Sequence, residues 1–162
     1  MTAVRKKELL KNIMSKRTDR KTVLVMCTGN SFRSQMAEAY ISLFAGDKAE
    51  VFSAGVEASG KVYPWAVKLM AEEGIDISGY KSESVDKYLD RKFDFLITVC
   101  DHARETCPVF PRPVGIKLHK SFPDYEPKGS LSDEEYMERL RPIRNLIKEY
   151  SKDFVNKYIV SG

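Results

Sequence analysis

Four short apolar runs rich in β-branched and aromatic residues recur along the chain, at residues 21–26, 50–55, 93–99 and 114–119. Their length and composition are typical of buried strands. Segments with helical periodicity occupy most of the intervals between them. Strands that alternate with helices predict a parallel sheet with helices on both faces. We therefore predict a doubly wound α/β fold, with a four-stranded parallel sheet flanked by helices.

The segment that follows the first predicted strand has a helical pattern. Over residues 34–46, large apolar side chains recur at spacings of three and four positions. The predicted stripe consists of Met36, Tyr40, Leu43 and Phe44. We expect this stripe to face the core.

Two further helices are indicated by start and stop signals. Residues 62–73 have helical periodicity and precede Gly74, a residue type that often ends helices. Ser132 stands three positions before Glu135, which is the spacing of a capping box and predicts the start of a long helix. The apolar face of that helix consists of Tyr136, Leu140, Ile143, Ile147, Tyr150 and Phe154.

Positive charge is concentrated at the N-terminus. The chain has 162 residues and a net charge of +4, but residues 1–21 alone contain eight Lys or Arg and two acidic residues. The remainder is slightly acidic, so the composition does not indicate a nucleic-acid-binding protein. We interpret residues 1–20 as a basic helical extension that is solvated or docks on a partner, and residues 21–160 as a single domain.

Composition also limits the membrane and redox classes. The chain is 43% apolar and 31% charged, and no apolar run approaches the ~20 residues of a membrane span, so we expect no membrane partner. Its charged N-terminus lacks the apolar core of a signal peptide. Three cysteines cannot all pair within one chain. We therefore expect a cytoplasmic protein whose cysteines are free thiols.

The stretch CTGNSFRS, residues 27–34, lies between a predicted strand and a predicted helix. Backbone N–H groups and the helix dipole at such a junction attract anions. Arg33 offers a fork of donors to a tetrahedral oxyanion, and these surroundings favour the thiolate form of Cys27. We predict that the loop holds the oxyanion while the Cys27 sulfur attacks its central atom. The predicted oxyanion-binding residues are Thr28, Gly29, Asn30, Ser31, Phe32 and Arg33.

Other reactive residues follow other predicted strands. Cys100 comes directly after the third strand, and Asp124 lies a few residues beyond the fourth. The carboxyl ends of parallel strands meet at one edge of a sheet, where ligands bind in this class of fold. We therefore expect Cys27, Cys100 and Asp124 to face one crevice.

A cysteine followed by five residues, then Arg and Ser, resembles the loop of the low-molecular-weight protein tyrosine phosphatases and of the arsenate reductases built on the same scaffold. The stretches CTGNSFRSQMAEA, VFSAGVEA, EEGIDIS and VCDHARETCPVFP are similar to the thioredoxin-coupled arsenate reductase branch. This resemblance runs from about residue 21 to residue 150. It implies reduction of arsenate by a relay through Cys27, Cys100 and Cys107, with thioredoxin as the reductant and no resident cofactor.

The resemblance implies further roles for single residues. Ser34 matches a serine that donates to the cysteine sulfur, and Asp124 is the best match to the general acid of the family. Asp124 lies in HKSFPDYEP, where the proline of the family's pattern is displaced. Phe32 stands where many relatives carry an additional cysteine that is not part of the relay.

Some relatives bind a potassium ion, near residues that match Asn30, Glu38, Ser53 and an aspartate. Glu83 stands at the aspartate position here, which departs from the pattern. His102 and His119 lack neighbours at the spacing of zinc ligands, so we expect no other metal site.

The spacing of Cys100 and Cys107 predicts a conformational switch. On one continuous helix their Cα atoms would be about 10.5 Å apart along the axis, beyond the roughly 7 Å that a disulfide permits. We predict that residues 100–108 are helical in the reduced protein and looped out in the oxidised protein.

Two other functions remain open at this point. Cys27, Arg33 and Asp124 would suffice for a phosphatase acting on phosphotyrosine or a small phosphoester, whereas Cys100 and Cys107 are needed only by a reductase. A non-catalytic oxyanion or redox sensor would use the basic N-terminal extension to engage a partner.

Overall fold

Four parallel strands form one sheet in the computed structural model, which describes residues 2–124 and 129–161, with the backbone alone for residues 14–18. The strand order is β2-β1-β3-β4, so β1 and β3 are central. The strands are β1 (Lys21–Cys27), β2 (Ala49–Gly55), β3 (Phe93–Thr98) and β4 (Val114–His119). The predicted doubly wound α/β fold with four parallel strands is confirmed.

Helices occupy the intervals between the strands, as the sequence pattern predicted. They are α1 (Ala3–Thr18), α2 (Arg33–Ala45), α3 (Pro64–Glu72), α4 (Asp101–Glu105) and α5 (Asp133–Phe154). Two short 3-10 turns (Gly46–Lys48 and Val85–Tyr88) and a C-terminal π-helical turn (Val155–Val160) complete the described helical structure. Gly74, with φ of +74°, follows α3 at the point where the sequence predicted the helix to end.

Alternating side chains of the central strands form two separate cores, one on each face of the sheet. Val23 and Val25 of β1 point to the first core, which lies beneath α2, α3 and α5. Leu24 and Met26 point to the second core. The second core is covered by the turn Val85–Tyr88 and by the segment after α4, from which Cys107 and Phe110 pack against it, as does Val114 at the start of β4. Long helices therefore cover one face of the sheet, whereas a short turn and an irregular segment cover the other face.

Helix α2 is buried around most of its circumference. Met36 and Tyr40 are fully buried, and Phe44 is partly buried and stacks on Tyr40. Leu43 is 58% exposed, so its assignment to the buried stripe was wrong. Leu43 lies in the last turn of the helix, on a side that is open to solvent, and the equally apolar Ile41 is buried instead.

Helix α5 follows its predicted pattern. Its apolar positions are buried as expected, with Tyr150 only partly so. The Ser132 hydroxyl accepts a hydrogen bond from the backbone N–H of Glu135 at 3.2 Å, which confirms the predicted helix start. Arg144 fastens α5 to α3, because its guanidinium donates to the Leu69 carbonyl at 3.1 Å and to the Glu72 carboxylate at 2.7 Å.

The side chains of helix α1 that the structure describes, those of residues 3–13, belong to neither core. Its described side chains are exposed, and its large apolar residues Val4, Leu9, Leu10 and Ile13 are 43–68% exposed. The expected helix is present over most of residues 1–20, but these four apolar residues do not form a buried face. The described helices of residues 2–124 and 129–161 include none with the length and apolarity needed to cross a bilayer.

Deletion of residues 2–19 tests whether residues 21–160 fold as an independent domain. The truncated chain retains Arg20, whose guanidinium donates to the Ala49 carbonyl at 3.3 Å. Because the side chains of residues 2–13 and 19 are exposed, we expect the melting temperature to change by less than about 2 °C, in line with exposed substitutions of roughly 0.5 kcal/mol.

Leu140→Ala serves as the comparison for this measurement, because Leu140 is fully buried. We expect that substitution to cost about 2–5 kcal/mol. A loss of similar size on deletion would mean that the extension is part of the folded domain.

Candidate active site

The loop between β1 and α2 is held by hydrogen bonds to the segment that follows β2. Four loop carbonyls accept backbone N–H groups from residues 56–63. The pairs, at 2.7–3.1 Å, are Val56 to Cys27, Glu57 to Thr28, Ser59 to Gly29 and Tyr63 to Ser31. In a planar trans peptide the N–H points away from the carbonyl, so these bonds turn the following amides toward the opposite side of the loop. The result is a row of inward-facing donors suited to an oxyanion.

One asparagine, Asn30, and one glycine, Gly55, allow this loop to form. Asn30 has φ of +49°, a left-handed conformation that asparagine tolerates better than most residues. A Cβ atom at Gly55 would lie 2.6 Å from the Thr28 carbonyl oxygen and 3.0 Å from the Asn30 nitrogen. Only glycine at this position lets β2 approach the loop so closely.

The Cys27 sulfur lies at the base of the loop, where donors surround it. The backbone N–H of Asn30 donates to Sγ at 3.1 Å, and the Ser34 hydroxyl lies 2.9 Å from Sγ. Ser34 Oγ itself accepts from the Asn30 amide at 2.8 Å, so its own hydrogen is available to the sulfur. Both groups are placed to donate to the sulfur, and the predicted contact between Ser34 and Cys27 is present.

Arg33 and Asp124 lie together beside this loop. Arg33 is the first residue of α2, and its guanidinium donates to the Phe122 carbonyl at 3.1 Å and reaches the Asp124 carboxylate at 3.4 Å. The fold thus brings Asp124, 91 positions away in sequence, next to the predicted oxyanion-binding arginine. The end of HKSFPDYEP, residues 125–127, lies outside the described residues.

Cys100 approaches Cys27 from the neighbouring strand. The register pairs Met26 with Thr98, so Cys100 lies one position beyond the residue opposite Cys27. Strand spacing and rise put the two Cα atoms on the order of 6 Å apart, within the range of a disulfide. The Thr28 hydroxyl lies 3.4 Å from Cys100 Sγ and therefore contacts the second thiol from within the loop.

Cys107 lies on the other side of the sheet. Cys27 and Cys100 belong to the first core, whereas Cys107 packs against the second core. All three are free thiols, and Cys107 is the least buried of them. Cys27 and Cys100 therefore lie in the core on one face of the sheet, whereas Cys107 packs on the other face and follows α4 in the chain. The crevice expected to join Cys27, Cys100 and Asp124 stays a prediction.

The helix predicted over residues 100–108 is shorter than expected. α4 covers only Asp101–Glu105, and Cys107 lies beyond its end. Contacts through the His119 ring link the start of α4 to the sheet. Its Nδ1 lies 2.7 Å from the Thr98 hydroxyl, and its Nε2 lies 2.9 Å from the Asp101 carboxylate. The contact between His119 and Asp101 could not be inferred from the sequence, because no local pattern links residues 18 positions apart.

The four residues matched to a potassium site lie behind the loop and bond to one another. The Asn30 amide donates to Ser53 Oγ and accepts from the Glu83 N–H, and the Ser53 hydroxyl donates to Glu38. The Glu83 carboxylate also pairs with Lys87 at 3.1 Å. Since these groups already have partners, the geometry by itself does not call for a cation, and the potassium site stays a prediction. The described residues contain no cluster of His, Cys, Asp and Glu arranged to hold a metal ion.

The residues that brace the loop were the part of the site that the sequence did not reveal. The Ser82 hydroxyl donates to the Gly29 carbonyl at 3.0 Å, and Phe32 packs edge-on against Tyr63 with ring centroids 5.9 Å apart. Gly55 could have been suspected as a glycine at a strand end, but its contact with the loop depends on strand order.

Gly55→Ala is expected to distort the loop. The new methyl group must displace backbone atoms of Thr28 and Asn30, and overpacking of this kind costs about 1–3 kcal/mol. We also expect millimolar phosphate to raise the melting temperature of the wild type and to leave that of this variant unchanged. Gly79→Ala is the control, because a Cβ atom there meets nothing within 4 Å. Equal phosphate responses of the two variants would contradict this account of the loop.

Glu38→Gln is expected to change how stability depends on pH. Burial raises the pKa of Glu38 to about 7, the Ser53 hydrogen bond lowers it, and the nearby Glu83 raises it further. Because the folded-state pKa exceeds the ordinary value of 4.5, the folded chain holds this proton more tightly than the unfolded chain. The wild type should therefore lose stability as the pH rises from about 4.5 through 7, and the variant should lack this component.

Thermal unfolding between pH 5 and pH 8 measures this difference. The melting temperature of Glu38→Gln should rise relative to the wild type across that range. Glu138→Gln, which removes an exposed carboxylate on α5, should follow the wild-type curve. Parallel curves for Glu38→Gln and wild type would contradict the raised pKa.

Comparisons with known proteins agree with this geometry. An arsenate reductase from Halalkalibacterium halodurans is 42% identical, over 84% of this chain and 96% of that protein. A solved structure described as an arsenate reductase in the phosphate binding state is 32% identical with a TM-score of 0.66, and the match covers 85% of this chain and 98% of that one. An arsenate reductase structure from Archaeoglobus fulgidus is 33% identical with a TM-score of 0.60, over 83% and 99% of the two chains. Residues 22–157 match the model of the low molecular weight phosphotyrosine protein phosphatases, and the chain belongs to that family.

Proposed function

We propose that this protein reduces arsenate to arsenite through the thiols of Cys27, Cys100 and Cys107. The observation that carries the proposal is a thiol at the base of an oxyanion-binding loop with a second thiol in contact with the same loop, since Thr28 Oγ1 lies 3.4 Å from Cys100 Sγ. Relatives at 42% identity that bear the name arsenate reductase support the choice of substrate. A phosphatase needs no second thiol at this position.

In the first step the Cys27 thiolate attacks the arsenic atom, and one arsenate oxygen leaves as water. The inward-facing amides of residues 28–33 and the Arg33 guanidinium bind the remaining oxygens. We assign the delivery of a proton to the leaving oxygen to Asp124, which lies 3.4 Å from the Arg33 guanidinium. The Ser34 hydroxyl stabilises the attacking sulfur, which it contacts at 2.9 Å.

In the second step the Cys100 thiolate attacks Cys27 Sγ. A disulfide forms between the two cysteines, the sulfur–arsenic bond breaks, and its electron pair reduces arsenic(V) to arsenic(III), which leaves as arsenite. In the third step Cys107 attacks Cys100 Sγ, which forms the second disulfide and releases Cys27 as a thiolate.

The third step requires residues 100–108 to change conformation. Cys100 lies in the first core and Cys107 packs on the second, so α4 and the residues after it must leave their positions for the two sulfurs to meet. The contacts of His119 with Thr98 and Asp101 hold the start of α4 and must break or rearrange in the process. We infer that the helix is formed in the reduced protein and looped out in the oxidised protein.

Thioredoxin is the reductant that we propose for the Cys100–Cys107 disulfide. The cycle then needs no resident cofactor, because both electrons enter as thiols. It also needs a reducing compartment, and for this reason we assign the protein to the cytoplasm.

Cys100→Ser and Cys107→Ser test the relay. With thioredoxin, thioredoxin reductase and NADPH, we expect the wild type to form arsenite continuously. Cys107→Ser should stop after about one arsenite per chain, because its Cys27–Cys100 disulfide cannot be passed on. Cys100→Ser should form less than this. Arsenite is measured in the product, and NADPH oxidation is followed in parallel.

Thr106→Ser is the matched control, since it keeps the hydroxyl that donates to the His102 carbonyl next to Cys107. It should turn over like the wild type. Repeated turnover by both cysteine variants, together with rapid cleavage of p-nitrophenyl phosphate, would favour a phosphatase. Binding of arsenate without turnover by any variant would favour a sensor. Equal hydrogen exchange of residues 100–108 in the reduced and oxidised proteins would contradict the switch.

A further inference from the structure

A cleft of about 680 Å³ lies on the second face of the sheet, and none of residues 27–34 lines it. Its floor is formed by Leu96 and Thr98 of β3 together with Lys117 and His119 of β4, which pair with them across the two strands. Its wall is the segment 107–114. The volume lies within the roughly 300–1,000 Å³ that is typical of small-molecule sites.

The cleft has a positive lining. Arg104, Arg112 and Lys117 all line it, and its lining residues include no Asp or Glu. Arg104 lies 3.9 Å from the Asp101 carboxylate. Arg112 and Lys117 have no carboxylate within 4 Å among residues 2–124 and 129–161. A concave site with uncompensated cations attracts an anionic ligand.

The thiol of Cys107 is part of the wall of this cleft. Cys27 and Cys100 are 3% and 4% exposed, whereas Cys107 is half-buried and is the thiol most open to a ligand. Burial raises the pKa of Cys107, while the nearby Lys117 lowers it. The net shift of the Cys107 pKa is upward, and Lys117 offsets only part of the effect of burial.

We propose that this cleft binds small thiol compounds that carry carboxylates, and that Cys107 exchanges with their disulfide form. The Cys107 thiolate attacks one sulfur of the small disulfide, and a bond forms between Cys107 and that half of the compound. The disulfide bond of the compound breaks, and the other half leaves as a thiolate that takes up a proton. The small disulfide is the oxidant, and excess of the small thiol reverses the reaction.

This modification would block the last thiol of the proposed relay. A capped Cys107 has no thiolate with which to attack Cys100, so turnover would stop after the Cys27–Cys100 disulfide. That consequence rests on the proposed function, but ligand binding and exchange at Cys107 do not. The small-thiol redox state of the cell would then control the enzyme through a site separate from its oxyanion loop.

The double variant Cys27→Ser/Cys100→Ser tests the exchange on its own, because Cys107 is then the single thiol. Two disulfides serve as probes: glutathione disulfide, which is anionic, and cystamine, which is cationic. Mass spectrometry gives the rate of mixed-disulfide formation, and each rate is divided by the rate on the urea-unfolded protein. We expect the folded chain to prefer glutathione disulfide by roughly tenfold or more, with a rate that saturates as the probe concentration rises.

Lys117→Gln and Arg112→Gln, each added to the double variant, should reduce this preference several-fold. Lys120→Gln is the matched control, because Lys120 is exposed just after β4 and does not line the cleft. It should leave the preference unchanged. Equal normalised rates for the two probes, or an equal loss of preference in all three variants, would overturn the proposal.

A second measurement uses the unaltered chain and needs no exchange. S-methylglutathione cannot form a disulfide, and we expect it to shift the amide resonances of Leu96, Thr98 and Lys117 and to slow modification of Cys107. Absence of both effects would overturn the proposal even if exchange occurred. Because neither experiment involves arsenate, their failure would leave the relay unaffected, and failure of the relay would leave them valid.

Discussion

The backbone hydrogen bonds between residues 56–63 and the carbonyls of residues 27–31 set the chemistry of the site. Without these hydrogen bonds, nothing would constrain the amides of the loop to point to one side. With the carbonyls occupied on the outer side, planar peptides leave the N–H groups on the inner side. Cys27, Ser34 and the start of α2 then surround the same space, so one bracing interaction organises nucleophile, donors and helix dipole together.

Strand order makes this bracing possible. β2 pairs with β1 along its whole length, from Lys21 with Ala49 to Cys27 with Gly55, so the chain leaves β2 directly beside the loop. Gly55 permits the close approach because any side chain there would meet the Thr28 carbonyl. The oxyanion-binding geometry is therefore a property of the sheet edge as much as of the loop sequence.

Local patterns predicted the elements well, because each strand is a short apolar run and the Ser132 cap and Gly74 mark helix ends by their own chemistry. The loop of residues 27–34 was also recognisable in the sequence, because its residue types and its position between a strand and a helix indicate an anion-binding loop. The sequence could not reveal which face of the sheet each side chain would occupy. Leu43 was assigned to the buried stripe incorrectly for this reason, and the position of Cys107 against the second core could not be inferred, because exposure and side depend on what distant segments cover.

The two separate cores have a consequence for the resting protein. Cys100 and Cys107 are only seven positions apart. In a flexible chain, exchange with an external oxidant such as a small disulfide would join them in a disulfide in the absence of substrate. Cys100 lies in the core on one face of the sheet and Cys107 packs on the core of the other face, so the sheet separates the two thiols and prevents a premature disulfide. In the proposed cycle both thiols therefore stay reduced until the reaction at Cys27 displaces the segment that keeps the two sulfurs apart.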